Sequence, residues 1–155
     1  MVDGDFTLWE STAIMQYLAS ATTNALWPND ARQRADIMRW QSWGLAHWGA
    51  ACAPLTFERF VKKVTNQGPP DAAVIAKALD AFHREARVLD AHLAKQSYLV
   101  GDDLTLADLS IAAPLVYAQQ ADMPLAQYAH ARDWFGRVAA LPAWREAAPQ
   151  MPAAA

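Results

Sequence analysis

From Asp71 to Leu93 the apolar residues Ile75, Leu79, Phe82, Ala86, Leu89 and Leu93 recur at an unbroken spacing of 4, 3, 4, 3 and 4, with Lys77, Asp80, Arg84, Glu85, Arg87 and Asp90 off the stripe. That pattern predicts one long amphipathic helix. The stretch Thr105 to Gln119 differs: after Asp108 it carries no charge. A helix apolar nearly all round must be surrounded by other elements, so this one is expected at the centre of a helical domain. Its start is written locally, since Asp108 stands three residues after Thr105 and can return a carboxylate to the Thr105 N–H, an acidic capping box. Leu104 and Leu109 stand where a hydrophobic staple would clamp the incoming chain.

A third helical pattern follows Leu26-Trp27-Pro28, with Asn29 or Asp30 as its cap and Ile37, Trp40, Gly44, His47 and Ala51 at 3, 4, 3, 4 spacing. Pro54 is expected to end or kink it, because proline lacks an N–H donor and clashes with the preceding turn. Leu55, Phe57, Phe60, Val61 and Val64 carry the apolar pattern on to the loop Asn66-Gln67-Gly68-Pro69-Pro70. Near the C-terminus Trp134, Val138 and Leu141 mark a further helix, Pro142 opens a short turn, and Met151 to Ala155 is expected to fray. At the other end, Asp3-Gly4-Asp5 signals a turn and Phe6 to Trp9 favour an extended strand. Only Met1 and Val2 precede that turn, so the strand's partner is expected to be missing and Met1 to Trp9 to seek a second chain. Ala13, Ile14, Tyr17 and Leu18 then switch to helical spacing, with Glu10 or Ser11 at the boundary. Free N–H groups and the positive end of a helix dipole at such a turn make an anion site, while the plainer reading is that Ser11 is an N-cap with no ligand. The fold class expected from these patterns is all-α, a bundle of five or more helices with one strand and one helix in front.

The 155 residues are 54 percent hydrophobic and 19 percent charged, which suits a well-buried core. A net charge of −3, with Lys62-Lys63 as the longest basic run, leaves no electrostatic footprint for nucleic acid. The uncharged run Trp40 to Phe57 contains Gln41, Ser42, His47 and Pro54, so no membrane span is expected. A single cysteine and an N-terminus without a signal-peptide pattern point to the cytoplasm. His47, His83, His92 and His130 lack zinc-ligand spacing, so no metal site is expected. Cys52 sits among alanines in a helix and reads as a small buried hydrophobe rather than a nucleophile. Trp40 and Trp43, three apart, read as core.

Several ordered stretches resemble one family. Asp3 to Ala19 looks like the last strand and final helix of the thioredoxin-like domain of a glutathione transferase, and Leu26-Trp27-Pro28 like its interdomain linker. Trp40 followed by Pro54-Leu55 is similar to the long helix of bacterial members. Gly101-Asp102 with Leu104-Thr105-Leu106-Ala107-Asp108 resembles the family's capping-box signature and core helix. The resemblance implies a remnant of a glutathione-binding domain over residues 1–23 and a C-terminal helical domain over 24–155. In this family the Glu-Ser pair binds the γ-glutamyl end of glutathione, which would place Ser11 on the carboxylate and Glu10 on the ammonium. Glutathione is thus the implied co-substrate, an electrophile of unknown identity the second substrate, and a homodimer the implied assembly. A full thioredoxin-like domain begins with a strand-helix-strand unit of about 30 residues or more, which would carry the Tyr, Ser or Cys that activates sulfur. None of it precedes Met1, so no catalytic residue is assigned and the chain by itself is expected to be inactive. The auxiliary polar position five residues before Pro54 is Gly49. The competing expectation is a non-catalytic helical interaction or ligand-binding module.

Overall fold

The computed structural model describes residues 1–149, so the expected fraying of Met151 to Ala155 lies outside the described residues. A two-stranded hairpin, β1 (Val2–Asp3) and β2 (Phe6–Thr7), leads into helix α1 (Ser11–Ser20). A linker then enters the bundle: α2 (Ala31–Trp43), α3 (Gly49–Thr56), α4 (Lys62–Thr65), α5 (Ala72–Leu93), α6 (Leu106–Ala112), α7 (Ala129–Ala139) and α8 (Pro142–Ala147). The core is a single cluster of buried side chains drawn from these helices, with Trp48, Trp134, Phe82, Ile37 and Leu55 among its largest members.

Of the two outcomes expected at Pro54, an end or a kink, the helix does not end there. Helices α2, α3 and α4 run on continuously through two wide π-type turns, Gly44–Trp48 and Phe57–Val61, in which the Gly49 and Lys62 N–H groups reach back to the Gly44 and Phe57 carbonyls. Pro54 removes one helical donor, and the wide turns on both sides absorb the distortion within an unbroken helix. A π turn inserts an extra residue, so every position beyond it rotates around the axis. The apolar stripe that spacing assigned to His47 therefore passes to Trp48: the histidine is exposed, whereas the tryptophan is fully buried and donates its indole N–H to the Ile111 carbonyl at 2.9 Å. Gly44 is a point of close approach: a Cβ there would stand 2.6 Å from Ile111 Cδ1, so the end of that side chain would have to shift.

Helix α5 forms as its stripe predicts. Asp71 caps it through the Ala73 and Val74 N–H groups, and Phe82, Ala86, Leu89 and Leu93 are buried. The central segment is shorter than its uncharged run. After α6 the chain tightens into a 3₁₀ turn over Ala113–Tyr117, because Pro114 cannot donate to Ser110 and its ring crowds that carbonyl. The capping box is present, and its carboxylate does more than cap. Asp108 is fully buried; Oδ2 accepts from the Thr105 N–H at 2.9 Å and hydroxyl at 3.1 Å, and Oδ1 from the Leu99 N–H at 2.9 Å and the Trp134 indole at 2.8 Å. Three separate segments thus meet on one side chain.

The orphan-strand expectation is overturned. Val2 pairs with Thr7 and Asp3 with Phe6 in antiparallel register, so the partner strand is the chain's own first residues. Two-residue arms suffice because Gly4, at φ +59°, closes the turn, while the terminal ammonium donates to the Leu8 carbonyl at 2.9 Å and the Leu8 N–H returns to Met1 at 3.0 Å. Met1 to Trp9 is ordered against its own α1, with Phe6 and Tyr17 rings 5.4 Å apart and the Tyr17 hydroxyl donating to Asp3 at 2.6 Å.

Two measurements check the energetics. Asp108→Ala leaves buried donors of Leu99, Thr105 and Trp134 unmatched, and is expected to lower the unfolding free energy by about 3 kcal/mol or more in urea titrations. Glu58, on the second π turn, is buried and accepts from the Asp71 N–H at 2.7 Å and the Lys62 ammonium at 2.6 Å. The Asp71 N–H, then Lys62, holds its carboxyl below the ordinary value of 4.5. Its contribution is therefore full above that value and lost as pH falls through the lowered one. Acid unfolding followed by circular dichroism is expected to show a shallower loss of stability below pH 4.5 for Glu58→Gln than for the wild type.

Candidate functional site

The site begins where the hairpin turns into α1. Trp9 is exposed, and Glu10 takes the N-cap position with φ 71° and ψ 120°. A non-glycine residue at positive φ costs about 1–3 kcal/mol and persists where the surroundings over-determine it, which is common at ligand sites. The surroundings here are specific. The hairpin's Leu8–Met1 pair fixes the chain before Trp9, while the Glu10 carbonyl is already committed to the Ile14 N–H at 3.0 Å. The residue between must make the bend.

Ser11 is thus the first helical residue and not the cap, and the Glu10 side chain makes no capping hydrogen bond. Ser11 is exposed, and its hydroxyl and the first-turn N–H groups lie at the positive end of a ten-residue helix. Both predicted site residues, Glu10 and Ser11, are exposed and adjacent. A carboxylate acceptor beside hydroxyl and N–H donors suits a zwitterionic ligand end, with ammonium on one residue and carboxylate on the next. The Tyr17 phenol, pushed up by its hydrogen bond to Asp3, stays protonated as the donor that pins the hairpin to α1.

A second concavity is apolar and is lined by Gly49, Cys52, Ala53, Phe57, Pro114 and Tyr117. Cys52 is buried, and burial pushes its thiol up and keeps it protonated, as its alanine surroundings predict. Of the histidines, His83 meets the Tyr128 hydroxyl at 2.7 Å and His92 the Leu99 carbonyl at 2.9 Å, while His47 and His130 are exposed. Among the described residues no group of acidic, histidine or cysteine side chains could hold a metal ion, and no helix is long and apolar enough to cross a membrane. Trp40 is buried and Trp43 half-buried against the core, with rings 5.3 Å apart and edge-to-face.

The sequence reading missed how α1 is held. Gln16, Gln41 and Ser110 form a file of hydrogen bonds from α1 through α2 to α6. The available signal was Gln41 itself, an amide inside a long uncharged run.

Comparison with known proteins identifies the family. The family described as glutathione S-transferase, C-terminal domain, matches residues 50–142. The chain is 34% identical over 158 aligned residues to glutathione S-transferase 3 of Zea mays, covering 98% of this chain and 70% of that protein. The apo structure of glutathione S-transferase III superposes with a TM-score of 0.83 at 34% identity, over 97% of this chain and 73% of that one. Glutathione S-transferase I bound with lactoylglutathione gives a TM-score of 0.86 at 28% identity, over 94% of this chain and 71% of that one. The chain belongs to the glutathione S-transferase family.

Proposed function

We propose that the Glu10–Ser11 turn holds the γ-glutamyl end of glutathione. The observation that carries this reading is the strained backbone at Glu10, which leaves the donors of Ser11 and the start of α1 uncapped and exposed beside a carboxylate. Ser11 donates its hydroxyl and backbone N–H to the ligand carboxylate, aided by the helix dipole, and Glu10 accepts from the ligand ammonium. The neighbouring relative solved with lactoylglutathione supports this choice of ligand.

The reaction served is attack of the glutathione sulfur on an electrophile: the thiol gives up its proton, a carbon–sulfur bond forms, and the electrophile's leaving group or π bond takes the electron pair. The apolar lining of the groove at Gly49, Ala53, Phe57 and Tyr117 supports an electrophile with an apolar body. Glu10 and Ser11 act on the γ-glutamyl end and leave the sulfur untouched, so binding rather than turnover is the activity proposed for this chain alone. Assembly as a homodimer and a cytoplasmic location belong to the same reading; the exposed apolar side chains Met38, Leu45 and Val88 support a protein partner.

Isothermal titration with reduced glutathione tests the site. Saturable binding is expected, weakened by about tenfold or more in Ser11→Ala, the usual loss for one hydrogen bond to a charged group. Absence of wild-type binding, with the protein flowing through immobilised glutathione, would overturn the reading in favour of a non-catalytic interaction module.

A further inference from the structure

Helix α1 carries the Glu10–Ser11 turn, yet its apolar hold on the bundle is slight. Ala19 is its single buried residue, Met15 is only partly buried, and Leu18 is 52% exposed. Between α1 and α6 a groove remains open, lined by Met15, Leu18, Leu106 and Leu109. Against this thin apolar contact stands a directed file of polar groups. The Gln16 amide donates to Gln41 Oε1 at 2.6 Å, Gln41 Nε2 donates to the Ser110 hydroxyl at 3.0 Å, and Ser110 donates to the Leu106 carbonyl at 2.8 Å.

The direction of the file is set from its far end. Ser110 is helical and spends its only proton on the carbonyl four residues back, so its oxygen can only accept from Gln41. That orients the Gln41 amide with nitrogen toward α6 and oxygen toward α1. Gln41 is 2% exposed, so water is a poor substitute for either partner. Leu106, where the file ends, is itself anchored: its N–H donates to the Leu26 carbonyl of the linker at 3.0 Å, and it opens the helix capped by Thr105 and Asp108. The path from the buried, capped start of α6 to α1, the helix that begins at the Glu10–Ser11 turn, is therefore three side chains long.

We infer that Gln41 is a positioning residue for the γ-glutamyl site: it seats α1, and through α1 the Ser11 donors, on the helical domain. The inference rests on the reading of Ser11 given above, and it adds a residue in the helical domain that touches no ligand. Gln16 is the other half of the contact, and the pair acts as a unit.

Amide hydrogen exchange along α1, with α5 as internal reference, and the dissociation constant for reduced glutathione test it together. Gln41→Met, close in volume and without the amide, is expected to speed α1 exchange by about tenfold with α5 little changed, and to weaken glutathione binding in parallel. Gln16→Met, at a half-buried position, is expected to do the same. The double variant Gln16→Met with Gln41→Met replaces both partners by a matched apolar pair, and is expected to exchange no faster than either single one. Unchanged α1 exchange in both single variants, or effects that simply add in the double, would overturn the inference. Faster exchange with unaltered glutathione affinity would overturn the positioning role. A wild-type protein that binds no glutathione removes the Ser11 reading and with it this role, while the exchange rates still decide the seating of α1.

Discussion

A buried carboxylate organises the helical domain. Asp108 is removed from water entirely, and the cost of that desolvation is offset by donors arriving from the segment after α5, from the start of α6 and from the indole of α7. Because the four bonds tie Leu99, Thr105 and Trp134 to one side chain, the position of α6 cannot shift without unpairing several buried groups at once. The tightness extends to Gly44, which gives Ile111 room, and to Trp48, whose indole closes on the Ile111 carbonyl. The fixed helix at the centre is a reference against which the other helices are placed.

The front of the molecule is built on a different principle. The hairpin and α1 bury little apolar surface, and their positions depend on polar contacts: the ammonium and backbone ties between Met1 and Leu8, Tyr17 on Asp3, and the amide file through Gln41. Such contacts are directional. They accompany the unfavourable backbone conformation of Glu10 just before α1, since hydrophobic packing alone would fix neither angle nor register.

Between the two regions, local polar anchors close the loops. Glu58 reaches from the second π turn to the Asp71 N–H and draws the start of α5 against the long helix. Arg59, from the same turn, donates to the Ala121 and Asp122 carbonyls. Asp90 accepts from the His130 and Ala131 N–H groups and so completes the first turn of α7 from outside. Each is a charged side chain satisfying backbone groups that helix ends or loops leave free.

Sequence alone determined what is local. The stripe of α5, a cap at Asn29 or Asp30, the Thr105–Asp108 box and the burial of Trp40 follow from spacing and side-chain chemistry within a few residues, and the structure contains them, with Asp30 as the cap. The Glu10–Ser11 turn was visible in the same way, as a strand pattern changing to a helical one. What tertiary structure decided is where a local rule had competitors. Pro54 ends an isolated helix, but here flanking π turns and packing of Leu55 in the core carry the helix through, and the inserted residue passes the buried position from His47 to Trp48. The uncharged run after Asp108 reads as one long helix until Pro114 tightens it. Met1 and Val2 are too short to announce a strand, and become one because the turn, the terminal ammonium and Tyr17 hold them there. The Gln16–Gln41–Ser110 file joins residues 25 and 69 positions apart, a separation that no periodicity spans and only the packing of α1, α2 and α6 brings within hydrogen-bond reach.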